Sequence, residues 1–186
     1  SMLSGLPAGL AVELLSTALQ AGDARVASLL AQPFHEADEG FARLNTALAT
    51  EGALVRVAAH VHIDAPLHLV FVGAPAASDI ASHGRHGVAL GENSRRSLVE
   101  HHVAVGAHRN LSNHLMRVQL GAGSMLAHAR LQDDDAGSSI LARTDATLAA
   151  GAIYHRVDLE LGAGLSRHEL NVALQGEQSQ FVSGGT

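Results

Sequence analysis

Glycine-led turns recur through the second half of this chain at nearly constant intervals. They read LGENS at 90–94, VGAHR at 105–109, LGAGS at 120–124, AGSSI at 136–140, AGAIY at 150–154 and LGAGL at 161–165. Counted from Gly91, the glycines at 106, 121, 137, 151 and 164 follow at 15, 15, 16, 14 and 13 residues. Each spacer holds alternating apolar residues, the pattern of a short strand with one buried face. A unit of that size cannot bury its apolar face alone, so a regular series predicts a stacked array whose neighbours share one core. Two units would make one coil of a flattened β-solenoid. The units do not keep the hexapeptide rhythm of a left-handed β-helix. A β-sandwich, with strands recurring every 8 to 12 residues or so, is the competing architecture. The regular LGAG turns favour the solenoid.

The region before the repeats reads differently. Leu10, Val12, Leu14, Leu15, Ala18 and Leu19 recur at helical spacing, and Gly22 stands where a C-terminal cap is expected. Asp23 is placed to cap a second short helix carrying Val26, Leu29 and Leu30 and ended by Pro33. A third helix is expected over 41–48, before Gly52. From Ala53 the pattern turns to alternation through Leu54, Val55, Val57 and Val61, then LHLVFV at 67–72 after Pro66, which is expected to break the strand. Residues 75–82 form a small-residue bridge into the repeats. The expected organisation is a helical segment over 1–52 and a β core over 53–186.

Composition narrows the function classes. The 186 residues suffice for one core without staples, and there is no cysteine, so this stretch supplies no disulfide, no thiolate nucleophile and no thiolate ligand for zinc or an iron–sulfur cluster. A net charge of −6 without a Lys/Arg run argues against nucleic acid or an anionic membrane as partner. No apolar run approaches the roughly 18 residues of a membrane span, and the start has no basic segment leading an apolar one, so a cytoplasmic protein is expected. Aromatics are 3% with no Trp. The core is therefore built from small aliphatic residues, and stacking platforms for carbohydrate are scarce.

Thirteen histidines are the main chemical resource. Sorted by strand parity, His101 falls with Val99, Val103 and Val105; His114 with Met116, Val118 and Leu120; His155 with Ile153, Val157, Leu159 and Leu161; and His168 with Leu170, Val172 and Leu174. All four are expected on the inner, apolar face. They read as neutral, hydrogen-bonded core residues, or as a row of imidazoles able to pass protons or hold a metal transiently. His60 and His62 form a close pair on one expected strand face. A cupin-type metal site would need a following Glu, whereas the residues here are Ile63, Asp64, Ala65, Pro66, Leu67 and His68. Asp133, Asp134 and Asp135 lack the alternating ligands and distal Glu of a calcium loop and read as a solvated turn. Asp158 and Glu160 share parity with Tyr154 and Arg156, a pattern expected of an outer face. No nucleophile, base and orienter set is legible, so no catalytic, metal or cofactor residue is assigned.

The order of these segments resembles the core domain of the SufBD family, on its SufD side. The resemblance is carried by FARLNTAL at 41–48 with Gly52 and Val55, APLHLVF at 65–71, SLVEHH at 97–102, LSNH at 111–114, HARLQ at 128–132, LGAGLSRHEL at 161–170 and VALQGE at 172–177. It implies a mainly β fold: a right-handed parallel β-helix preceded by short helices. It also implies a non-enzymatic scaffold role in iron–sulfur cluster assembly, with SufB and the ATPase SufC as partners. Members continue with more β-helix and a C-terminal helical part that docks SufC, so 53–186 is expected to be a core truncated at its C-terminal end, which carries none of the family's functional residues. Exposed strand edges would let such a fragment pair with a second copy. The competing reading is a cupin-like or β-helix metal-dependent enzyme using His60 and His62, with His68 as a further candidate ligand.

Overall fold

The computed structural model describes residues 5–24, 26, 27 and 39–186. In chain order the elements are β1 (Leu10–Leu14), α1 (Leu15–Gln20), α2 (Gly40–Leu48), β2 (Ala53–Val57), β3 (His62–Gly73), β4 (Ala81–Leu90), β5 (Arg95–Ala104), β6 (Leu111–Leu120), β7 (Met125–Asp133), β8 (Ser139–Leu148), β9 (Ile153–Glu160), β10 (Leu165–Leu174) and β11 (Gln180–Gly185). β1 and the even-numbered strands form one sheet in the order β1-β2-β4-β6-β8-β10, and the odd-numbered strands from β3 onward form the other, β11-β9-β7-β5-β3. From β2 onward every pairing is parallel, each strand hydrogen-bonding to the strand two places along. The chain thus winds as a β-solenoid of about 4 turns, two strands to a coil, as the glycine spacing predicts.

The two edges of the coil are built differently. Along one edge the turns 58–61, 91–94, 121–124 and 149–152 each take four residues, and the last, 175–179, takes five. Along the other they shorten steadily: 74–80, 105–110, 134–138 and 161–164. The constant edge is a stack of backbones. A Cβ on Gly91 would lie 2.5 Å from Ala59 N and 2.8 Å from Ala59 Cα, and one on Gly121 would lie 2.9 Å from both Glu92 N and Leu90 O. Glycine is needed there because successive turns leave no room for a side chain. Above this edge Val55, Val57, Val88, Leu90, Val118, Leu120, Ala146 and Leu148 of one sheet meet Leu98, Leu126 and Tyr154 of the other in the main apolar core.

Before the solenoid, the expected helix over Leu10 to Leu19 is split. Leu10–Leu14 instead form β1, which runs antiparallel to β2. Strand pairing outweighs helix propensity because it satisfies the free edge of β2 and brings Glu13 onto Arg56, which also binds Asp23 (Nη1–Oδ2 3.0 Å). Helix α1 ends as expected: Gly22 takes φ +68 and donates to Leu19 O, and Asp23 N donates to Ala18 O, a Schellman cap. Val26 is buried with Leu15, Ala18 and Leu54. The expected helical positions Leu29 and Leu30, and Pro33, lie outside the described residues. Helix α2 covers the outer face of β4 and β6. Its Asn45 is fully buried and donates to Gly84 O and Asn113 O, both at 2.9 Å, and Asn113 donates to Phe41 O. Pro66 does not end β3. The strand continues through a register shift between Ile63 and Leu67, the irregularity that accommodates a residue without an N–H.

Gly91→Ala is expected to lower stability to urea by about 1–3 kcal/mol through overpacking against the preceding turn. Gly184→Ala, where an added Cβ meets nothing within 4 Å, should leave the unfolding midpoint unchanged.

Candidate functional site

In a parallel, in-register solenoid the inward residues of successive strands stack into columns along the axis. Toward the constant edge these columns are apolar. Toward the tapering edge they are polar: Phe71, His102, Gln132 and Glu160 form one column, Leu69, Glu100, Arg130 and Asp158 the next, and Leu67, Leu98, His128 and Arg156 the third. The six-stranded sheet faces them with His86, His114, Thr144 and His168. Half of the lumen is thus a buried polar chamber.

Arg156 organises it. Its Nε and Nη2 donate to Asp158 Oδ2 and Oδ1, each at 2.8 Å, and its Nη1 donates to Tyr154 Oη (2.9 Å) and Thr144 Oγ1 (3.2 Å). It also reaches two imidazole nitrogens, His128 Nδ1 and His168 Nε2, each at 3.3 Å. A guanidinium can only donate, so both nitrogens are acceptors and the tautomers follow. His128 carries its proton on Nε2, 2.7 Å from Glu100 Oε1, and His168 carries its proton on Nδ1, facing Asp158 Oδ1 at 3.5 Å. A second fixed tautomer lies one coil earlier. Ala53 N donates to His86 Nδ1 (3.0 Å), so His86 Nε2–H donates to His114 Nδ1 (3.1 Å). Phe71 packs against His86, His102 and His114 with centroids 5.0, 4.6 and 4.8 Å away.

Burial dominates the electrostatics of the imidazoles. It pushes His86 and His168 down to about 4 and lowers His114 and His128, so the four are neutral at pH 7. For Glu100 burial acts upward, but His128, His102 and Arg156 outweigh it and hold the carboxyl well below its usual range. Asp158 is likewise raised by burial and lowered, on balance, by its bonds to Arg156. Burial pushes the Tyr154 phenol up to about 12.

Several sequence expectations change here. His114 and His168 do line the interior. His101 and His155 point outward, because on the five-stranded sheet the aliphatic parity is the outer one and Glu100, His102, Arg156 and Asp158 occupy the inner positions. Tyr154, Arg156, Asp158 and Glu160 are therefore luminal rather than exterior. Asp134 is buried, not solvated: His108 Nε2–H donates to its Oδ1 at 2.8 Å, while Asp135 Oδ1 accepts from Gly137 N. His60 sits in a turn at φ +61, His62 opens β3 with its ring against Asn93 O, and His68 faces outward, so these three do not converge.

Among the described residues Asp158, Glu160 and His168 are the one group of three whose ligand atoms lie within 4.8 Å of one another. The group does not fit a cation. Arg156 already neutralises Asp158, Arg130 pairs with Glu160, and His168 presents a proton, not a lone pair, toward Asp158. A cleft of about 290 Å³, lined by Phe71, Gly73, Ser82, His102, Ser112 and His114, opens into the chamber from the tapering edge. In the chamber Thr144 Oγ1 lies 3.2 Å from His168 Nε2 and Tyr154 Oη lies 2.9 Å from His128 Nδ1, and Arg156 donates to all four of these atoms. The arrangement is an ion-paired polar core. A signal for it was present in the sequence: aligned coil by coil, Glu100, Arg130 and Asp158 alternate in sign.

Two outcomes follow. The unfolded chain binds protons at these histidines from about pH 6.5 downward, whereas folded His86 and His168 resist protonation until about pH 4. Stability should therefore fall as pH drops through this window, by up to ~1.4 kcal/mol per pH unit for each fully buried group. Urea midpoints at pH 7, 6 and 5 test this; a flat profile contradicts it. Arg156→Met, which strands Asp158 and Glu100 without their cation, should cost about 3–5 kcal/mol by the same measurement.

A model of the family described as SUF system FeS cluster assembly, SufBD core domain, matches residues 72–185, which run from the end of β3 through every later coil. No curated protein matches the chain. No described helix is long and apolar enough to cross a membrane. The match takes in well over half of the chain, and with the parallel coils it establishes that this protein belongs to the SufBD core-domain family of the iron–sulfur cluster assembly system.

Proposed function

We propose that the chain is a non-catalytic scaffold component of a cytoplasmic SufBCD-type assembly complex, paired with SufB- and SufC-type proteins. The family match over the coils carries this reading. The chamber supports it, because its charged groups are engaged with one another rather than poised toward a substrate. Within this scheme residues 1–52 form an N-terminal segment and 53–186 the β-helix core. The cluster is cargo, and this stretch offers it no thiolate.

Co-expression with SufB- and SufC-type proteins from the same source should give a complex that co-elutes with this chain and contains it in fixed proportion. The chain alone should bind less than one equivalent of metal by elemental analysis. A full equivalent of zinc, iron or manganese that disappears on replacing His60 and His62 by Ala would establish the metal-enzyme reading instead.

A further inference from the structure

Pairing inside the polar chamber leaves one edge of one cation over. Arg130 projects inward from β7, is 1% exposed, and donates from Nη1 to Glu160. Its Nε and Nη2 are buried and meet no acceptor. These two nitrogens point the same way along one side of the guanidinium, the side with which Arg156 grips Asp158. The carboxylates on either side of Arg130 in its column are already taken. Glu100 Oε1 faces His128 Nε2 at 2.7 Å and Oε2 faces His102, while both oxygens of Asp158 accept from Arg156. Two residues along β7, Gln132 is fully buried. Its Oε1 accepts from Gly162 N at 2.9 Å, which fixes the amide and leaves Nε2 as a further unmatched donor.

With Glu100 and His128 matched to each other, the unmatched buried atoms of the chamber are all donors: Arg130 Nε, Arg130 Nη2 and Gln132 Nε2. Buried donors left so are costly, most of all on a charged group. A water molecule would accept from two of them and bring two protons that need acceptors of their own. An anion brings none. The parallel N–H groups of a guanidinium edge match two oxygens of one planar group. A single negative charge is the most this interior can take, since Glu100 and Asp158 already balance Arg130 and Arg156, with Glu160 at the margin, its side chain 28% exposed. Across the lumen, His114 and His168 both feel the Arg130 charge, and the residue between them in their column is the small Ala142.

A way in exists. The cleft of about 290 Å³ reaches the chamber at His102, the neighbour of Gln132 in its column. His114, whose Nδ1 accepts from His86, presents its Nε2–H as a donor along this cleft. Asp134, the carboxylate at this entrance, accepts through Oδ1 from His108 Nε2 and Asp135 N.

We propose that Arg130 and Gln132 hold one small planar monovalent oxyanion of the carboxylate class, such as formate or bicarbonate, admitted to the lumen through the cleft. The site involves neither a cluster nor a partner chain and is independent of the scaffold reading.

NMR of the isotope-labelled chain tests it, with the Arg130 Nε–H signal identified by its loss in Arg130→Lys. Adding sodium formate at constant ionic strength should move that signal saturably, with a half-point on the order of 1 mM, within reach of a three-atom ligand making near-ideal contacts. The urea midpoint of the native chain should rise over the same range. Gln132→Glu keeps an acceptor for Gly162 N but sets a carboxylate oxygen where the Nε2 donor stood, so it should weaken formate binding by roughly tenfold or more. If no arginine Nε–H signal of the native chain moves up to about 100 mM formate, on the order of a hundred times the expected constant, the proposal is overturned. An equal response to sodium chloride would show a site that reads charge alone and refute the planar oxyanion. So would undiminished formate binding in Gln132→Glu, or an Nε–H that contacts water and ignores formate.

Discussion

In-register parallel pairing is the constraint on which this structure rests. Once each coil hydrogen-bonds to the coil before it, every residue acquires neighbours of the same strand position, and any property of one coil is extended along the axis. Aliphatic residues at positions such as Leu90, Leu120 and Leu148 become a continuous column. At the turns of one edge Gly91 and Gly121 stack backbone on backbone against the preceding turn, with Ala149 and Gln175 at the same position of the later coils. The same rule would make buried charge ruinous if one sign were repeated, and the column Glu100, Arg130, Asp158 avoids this by alternating.

The polar half of the lumen is therefore costly to build and specific once built. Arg156 meets a carboxylate, a phenol, a hydroxyl and two imidazoles at once, and in doing so fixes the tautomers of His128 and His168. Groups held this way exchange protons reluctantly and have little freedom to rearrange. Such an interior is rigid and keeps its ion pairs across the neutral range.

Coil architecture was legible in the sequence because turn glycines depend on local backbone geometry, which leaves a periodic trace. The Gly22 cap was legible for the same reason. What misled was the assumption that the aliphatic face of a strand is the buried one. For β5 and β9 that assumption exchanged inside for outside, sending His101 and His155 inward and leaving Arg156, Asp158 and Glu160 on the surface. The rule fails when a sheet buries charged groups that neutralise one another, some within one strand, as Arg156 and Asp158 do two residues apart, and some one coil away, as Arg130 and Glu160 do 30 residues apart. β1 was hidden for a related reason: what makes Leu10–Leu14 a strand is the free edge of β2, some forty residues downstream. Asp134 looked like part of a solvated acidic run because its partner, His108, lies in the preceding turn of the same edge.

The steady shortening of the turns along one edge has a kinetic meaning. Arrays of identical repeats can misfold by pairing one whole repeat out of place, with nearly every contact preserved. Here the turns 74–80, 105–110, 134–138 and 161–164 give each coil its own circumference, so a skipped coil would not close. The same slip would set Glu100 directly beside Asp158, two carboxylates of like sign in a dry interior. The taper and the charge alternation together number the coils, and a chain made of similar pieces can assemble them in only one order.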